Sequence, residues 1–255
     1  MTDTDSDLVV LKLGGSVITD KDSAETVDDD ALDDVLDAVA AALDTDDGRL
    51  IVVHGGGSFG HVHAAEHGVS TTDGSHDAAT VTAIHGAMKR LNGEVVGRLQ
   101  ERAVPAVPVH PLSVAARDDA RGLSLPADAT AGLLAEGFVP VLHGDVVAHA
   151  GAGVTVLSGD EIVTSLADSL GADRVGLCST VPGVLDETDR VIDEIRSFET
   201  VASVLGGSES TDVSGGMAAK VQELLALGAP AHIFGPEAVG DFLSGERAGT
   251  LVDGR

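Results

Sequence analysis

The residues with chemistry in them cluster at two junctions where an apolar run meets glycines. The first reads Lys12-Leu13-Gly14-Gly15-Ser16 and the second His54-Gly55-Gly56-Gly57-Ser58-Phe59-Gly60-His61. Glycines at the end of a buried strand let backbone N–H groups approach an anion, and a following helix adds the positive end of its dipole. Two such junctions predict two neighbouring phosphate sites. Of the four lysines, Lys12, Lys21 and Lys220 flank glycine-rich turns, Lys220 lying just beyond Asp212-Val213-Ser214-Gly215-Gly216-Met217, whereas Lys89, beside Arg90, reads as ordinary surface. His61 falls where an imidazole can donate a hydrogen bond to whatever the second loop binds. Cations and backbone donors that hold two anionic groups in line are the equipment of phosphoryl transfer, which asks little covalent chemistry of the protein.

Two carboxylates complete the set. Asp160, in Leu-Ser-Gly-Asp-Glu, opens a helical stretch, where an acid caps the helix or orients lysines and magnesium; capping is the simpler reading. Asp145, in His-Gly-Asp at a strand end, is similar. Other patterns compete. Gly55-x-Gly57-x-x-Gly60 matches the dinucleotide fingerprint, but it follows the second strand, and the next strand runs out at His110 without an acid for a ribose. His63-Ala-Ala-Glu66-His67 has the spacing of an inverted zinc-protease motif, yet it sits one turn past a phosphate-type loop that a protease would not need. Packed or solvent-facing histidines account for it better, and no metal ligand is assigned.

The elements that must carry these residues alternate. Leu8–Leu13, Leu50–His54, Val104–Val109, Phe138–His143, Arg174–Ser179 and Ala231–Phe234 read as strands buried on both faces. Stretches 28–43, 76–102, 160–170 and 215–227 read as helices; in the first, Leu32, Val35, Leu36, Val39 and Leu43 recur at helical spacing with Asp on the other face. This predicts an α/β fold with a mostly parallel sheet covered by helices on both sides. Stretches 112–129 and 146–157 read as hairpins or excursions, and 206–210 as a flexible loop. One domain spans 1–255, with an approximate lobe boundary near Gly171.

Composition narrows the partners. With 42 Asp+Glu against 15 Lys+Arg the net charge is -27, which repels nucleic acid and anionic membranes. Asp outnumbers Glu about two to one, yet 43% of residues are apolar, so the acid is the solvated surface of a folded protein from a high-salt cytoplasm. No bilayer-spanning run and no signal-peptide pattern are present, and one cysteine, Cys178, excludes an internal disulfide; a cytoplasmic location is expected.

The motifs Lys-Leu-Gly-Gly-Ser-Val-Ile-Thr-Asp-Lys, His-Gly-Gly-Gly-Ser-Phe-Gly-His, Val-Leu-His-Gly-Asp, Leu-Ser-Gly-Asp and Thr-Asp-Val-Ser-Gly-Gly-Met stand in the order seen in the amino acid kinase superfamily. From about Leu8 to Val252 the chain most resembles its archaeal isopentenyl phosphate kinases. The resemblance implies a three-layer α/β/α sandwich with a mostly parallel central sheet, a phosphate-acceptor lobe over 8–171 and an ATP lobe over 172–255. It implies transfer from ATP, with Mg2+, to isopentenyl phosphate, a late step of an archaeal mevalonate route, by a homodimer. Residue by residue, Lys12, Gly14, Gly15 and Ser16 would cradle the ATP phosphates and Lys21 would stabilise the transferring group. Gly55, Gly56, Gly60 and His61 would surround the acceptor, with Gly144 and Gly159 also on the acceptor side and Gly56 also counted at the nucleotide. Asp160 would organise the cluster, and Ser179, Gly216 and Lys220 would close on ATP.

Relatives often read Thr-Asp-Val-Asp-Gly where this chain has Ser179-Thr180-Val181-Pro182-Gly183, near the nucleotide's base and ribose. The residues themselves reach transfer between two bound phosphates and leave the acceptor open. A sister kinase acting on another phosphate or a phosphonate such as fosfomycin remains, as does a non-catalytic nucleotide sensor; a uridylate or amino-acid kinase finds less support. An apolar substrate tail would need walls, for which Ile84 and Met88 are candidates.

Overall fold

The computed structural model describes residues 6–45, 48–205 and 216–255; the expected loop 206–210 and the turn 212–215 lie outside them. In chain order the strands are β1 (Leu8–Leu13), β2 (Arg49–His54), β3 (Ala106–Pro108), β4 (Ala116–Asp118), β5 (Gly122–Ser124), β6 (Val139–His143), β7 (Asp145–His149), β8 (Gly153–Leu157), β9 (Arg174–Cys178), β10 (Glu194–Ile195), β11 (Ala231–Phe234) and β12 (Thr250–Val252). The helices are α1 (Gly15–Ile18), α2 (Asp29–Thr45), α3 (Gly57–Glu66), α4 (Ala78–Glu101), α5 (Asp128–Ala135), α6 (Gly159–Leu170), α7 (Ala202–Leu205), α8 (Gly216–Leu225) and α9 (Val239–Leu243).

Eight strands form one sheet in the order β10-β12-β11-β9-β1-β2-β6-β3. Only the β11–β12 pairing within it is antiparallel. β1 shows why the sheet is central: all six residues are buried, and they alternate between two cores. Leu8 and Val10 pack with Ile162, Val163 and Leu166 of α6 and Val221 and Leu224 of α8. Val9, Leu11 and Leu13 pack with Leu32, Val35 and Leu36 of α2 and Leu91, Val95 and Leu99 of α4. A period of two on the strand against 3.6 on the helices therefore produces helix, sheet and helix as three layers. Lys12 shares the parity of Leu8 and Val10, which sends it to the α6 side.

The acidic face of α2 is partly neutralised by α4. Asp33 Oδ1 accepts from Arg98 at 3.2 Å and from Arg102 at 3.0 Å, while Asp29 and Asp37 take further bonds from the same two guanidinium groups.

Three expectations change. The strand expected over 104–109 shrinks to Ala106–Pro108, because Pro105 and Pro108 carry no N–H for a ladder, and it lies at the sheet edge where such gaps are tolerated. The excursion at 112–129 contains the β4–β5 hairpin but ends in the first residues of α5, an eight-residue helix with too short an apolar pattern to stand out. The two excursions also belong together: β4 pairs with β7 in a second sheet ordered β5-β4-β7-β8. That sheet walls one end of the cleft described next.

Candidate active site

Adjacent parallel strands all end at one edge of the sheet, and each hands its next residue to a neighbour. Gly14 N–H donates to Cys178 O at 2.9 Å, Gly55 N–H to Leu13 O at 2.9 Å, Gly144 N–H to His54 O at 2.9 Å, and Ser179 N–H to Phe234 O at 2.8 Å. The loops leaving these strands line a cleft of about 270 Å³. Lys12, Gly14, Gly15, Ser16, Gly55, Gly56, Gly60, His61, Gly144, Gly159, Asp160, Ser179 and Lys220, all singled out in the sequence, form its walls.

The two glycine loops touch backbone to backbone. A Cβ on Gly15 would stand 2.1 Å from Gly57 N, and one on Gly57, at φ +46°, would stand 2.1 Å from Thr19 Oγ1. Only glycine allows that approach. It places the amides of Gly15, Ser16, Gly56 and Gly57 side by side, and among the described residues none of the four donates to a backbone acceptor. At Gly60 a Cβ would meet Met88 Sδ at 2.7 Å, so α3 lies flush against α4 and His61 follows directly.

The cationic end is organised by Asp160. Lys12 Nζ donates to Asp160 Oδ1 at 2.6 Å, and Lys220 Nζ stands 3.8 Å from Oδ2; the Lys12 and Asp160 side chains are 11% and 8% exposed. The simpler expectation for Asp160 is corrected here. The cap of α6 is Ser158, which accepts from Glu161 N–H at 3.1 Å while the Glu161 carboxylate takes Ser158 N–H at 2.9 Å. This capping box frees Asp160 to bind the lysines. Asp145 is not a cap either: its buried carboxylate accepts from His85 Nδ1 at 2.9 Å, Leu112 N–H at 3.2 Å and Val146 N–H at 2.9 Å.

Two predicted residues are not brought in. Lys21 is exposed, on the loop between Thr19 and Val27, and does not line the cleft. Gly216, the first residue of α8, stays behind Met217 and Lys220, which do. His63 and His67 are held by partners of their own, His63 Nε2 with Glu25 Oε1 at 2.5 Å and His67 Nδ1 with Thr80 Oγ1 at 3.2 Å. Their side chains and Glu66 form the only three-residue group among the described residues spaced to hold a metal, and it lies outside the cationic end of the cleft. Lys89 is exposed, as expected.

Sequence reasoning passed over the histidines beneath the loops. His54 is wholly buried; its Nδ1–H donates to Gly55 O at 3.1 Å and its Nε2 accepts from Asn92 Nδ2 at 3.2 Å. His143 repeats the pattern, donating to Gly144 O at 2.9 Å and facing His110 Nδ1 at 2.9 Å. Burial pulls the His54 pKa down to about 3 and that of His143 to about 4. Both therefore sit neutral, fixing the carbonyls of the loop glycines. Between pH 6.5 and those values the unfolded chain takes up protons that the folded one refuses. Stability is expected to be complete above pH 6.5 and to fall below it, by up to about 1.4 kcal/mol per pH unit for each imidazole. Denaturant titrations at constant KCl from pH 7 to 5 check this, and His54→Gln should flatten the slope.

Cys178, at the end of β9 in the cleft wall, is buried, and its thiol is pushed up to about 12, chiefly by that burial. Away from the lysines the cleft turns apolar: Ala64, Val69, Ile84, Met88 and Val156 line it, and the first three form a small separate core with Val146 behind them.

A parallel sheet whose strand ends deliver paired glycine loops and clustered lysines to one cleft defines a class of enzyme: the chain belongs to the amino acid kinase family, which residues 7–234 match. It is 64% identical to the isopentenyl phosphate kinase of Haloferax volcanii, over 97% of this chain and 99% of that one. The isopentenyl phosphate kinase of Methanocaldococcus jannaschii is 32% identical over 96% and 98%. An X-ray structure of isopentenyl phosphate kinase superposes with a TM-score of 0.81 at 29% identity, covering 95% of this chain and 98% of that one.

Proposed function

We propose that this chain transfers the γ-phosphoryl group of ATP to isopentenyl phosphate, giving isopentenyl diphosphate and ADP in isoprenoid biosynthesis. The observation that carries the reading is the polarity of the cleft, with paired glycine loops and lysines at one end and the apolar Val69–Ile84–Val156 corner at the other. That is the shape of a substrate with a phosphate head and a branched hydrocarbon tail. An acceptor phosphate oxygen attacks the γ-phosphorus of ATP, and the bond to the β-bridging oxygen breaks as ADP leaves. Lys12, Gly14, Gly15 and Ser16 bind the nucleotide phosphates, with Ser179 and Lys220 on the far side and Gly216 opening the helix behind Lys220; the nucleotide lobe is 172–255. Gly55, Gly56, Gly60 and His61 hold the acceptor, with Gly144 and Gly159 beneath it, and Lys21, exposed outside the cleft wall, neutralises the transferring group by reaching in with its long side chain.

Magnesium fits as an ion carried on the nucleotide. Asp160 is engaged by two ammonium groups and Asp145 by His85 and backbone amides, so the ion would be held through the nucleotide rather than by these two carboxylates. When bound it neutralises β- and γ-phosphate charge. Two features support a homodimer and a cytoplasmic setting: the open edge at β3 has Phe138 40% exposed nearby, and the sole cysteine is buried and unpaired. No described helix is long and apolar enough to cross a membrane.

The test is ADP release in multimolar KCl with magnesium and ATP, comparing isopentenyl phosphate, fosfomycin and UMP. Selective turnover of the first is expected; preference for another acceptor would move the chain to a sister kinase, and no turnover would make it a nucleotide sensor. His61→Ala should lose about 2–4 kcal/mol of transition-state stabilisation in the same assay with the fold intact. Unchanged turnover would remove His61 from the acceptor site.

A further inference from the structure

One side chain fastens together three elements around the acceptor end. Glu25 lies on the loop that carries Lys21, closed at its base by the Thr19–Val27 bridge and by Asp20 N–H on Thr26 O at 3.0 Å. Its Oε1 binds His63 Nε2 of α3 at 2.5 Å, and its Oε2 accepts from Arg90 Nε and Nη2 of α4 at 3.1 and 2.7 Å. Glu25 N–H donates to Ser58 O at 3.1 Å, and Ser58 Oγ donates to Thr26 O at 3.2 Å, so the first turn of α3 is tied to the same loop. The backbone of Glu25 is left-handed, at φ +49°, an unfavourable conformation for a glutamate that persists only where the surroundings over-determine it. The helices it joins are those that flank the acceptor: α3 brings His61 to the cleft and α4 brings Ile84 and Met88.

We propose that Glu25 is a positioning residue for the transfer, holding the Lys21 loop against α3 and α4 so that the Lys21 ammonium can reach the migrating phosphoryl group. This rests on the role given to Lys21 above. Lys21 is exposed and outside the cleft wall, on a loop shared with Asp20 and Asp22, so its own side chain does not fix where it points. A carboxylate that ties the loop to two helices does so. The same contact accounts for the His63-x-x-Glu66-His67 pattern: His63 is a strut rather than a zinc ligand.

The test is a double-mutant cycle on the full chain in multimolar KCl, with thermal melts as a folding control. Glu25→Ala should lower kcat about tenfold with little change in KM for ATP, the signature of an interaction realised in the transition state. Because it acts through Lys21, the loss should disappear in the Lys21→Ala background, and Glu25→Gln, which keeps the shape and the acceptor oxygen, should recover part of it. Arg90→Ala, on the exposed side, should show a smaller loss with the same dependence on Lys21, and it stands in if Glu25→Ala fails to fold. Wild-type kcat in Glu25→Ala, or a loss that multiplies with that of Lys21→Ala, overturns the proposal. Wild-type kcat in Lys21→Ala overturns the role of Lys21 itself and this inference with it, while leaving the acceptor assay untouched.

Discussion

Asp160→Ala is expected to lower kcat about a thousandfold, the scale of losing one preorganised charge-stabilising group, without raising KM for ATP. Asp160 is the counter-charge that holds Lys12 at 2.6 Å and draws Lys220 to 3.8 Å. Without the carboxylate, the two ammonium groups lose the counter-charge they share, and they move apart. The nucleotide phosphates would still attract them, so ground-state binding survives while the alignment needed in the transition state is lost. The same deletion leaves a buried lysine uncompensated, which typically costs about 3–5 kcal/mol of stability. Melting curves in high KCl should therefore drop alongside kcat. A variant with raised KM and intact kcat would mean that Asp160 serves uniform binding only.

Removing salt is expected to unfold the protein. The net charge of -27 is spread over acidic faces such as 29–37 of α2, where Arg98 and Arg102 neutralise only part of the Asp row. At 1 M salt the screening length is about 3 Å and neighbouring carboxylates scarcely interact, whereas at 0.01 M it grows to about 30 Å and the whole surface repels itself. Far-ultraviolet circular dichroism during dialysis from about 2 M KCl into dilute buffer should show cooperative loss of helix, with loss of kinase activity in step. Full activity in dilute buffer would contradict it.

Local pattern made much of this architecture readable. The β1 run and its glycines, the Asp-faced α2 and the Lys12, His61 and Lys220 placements depend on spacing within a few residues, and they stand where spacing puts them. What could not be read depends on pairings between distant segments. The Ser158–Glu161 capping box is plain in the sequence, yet only knowing where Lys12 ends up reveals that Asp160 is released for another partner. The union of β4 with β7 joins residues about 30 apart through backbone alone. Glu25 carries no motif, and its value comes from meeting His63 and Arg90 in space. Ile84 and Met88, suggested only by their place on the long helix, both reach the cleft.

Cys178 has a practical corollary. The chain contains no Trp or Tyr, and its one thiol is enclosed at the end of β9 and held protonated far above neutral pH. Thiolate, not thiol, reacts with maleimides and methanethiosulfonates, so the natural protein is chemically and optically silent toward the usual labels. A reporter cysteine introduced at an exposed position would be the sole reactive group without any preparatory engineering. A spin label on Lys21→Cys, paired with a second on α4, would read the distance across the Glu25 tie directly, in the presence and absence of nucleotide.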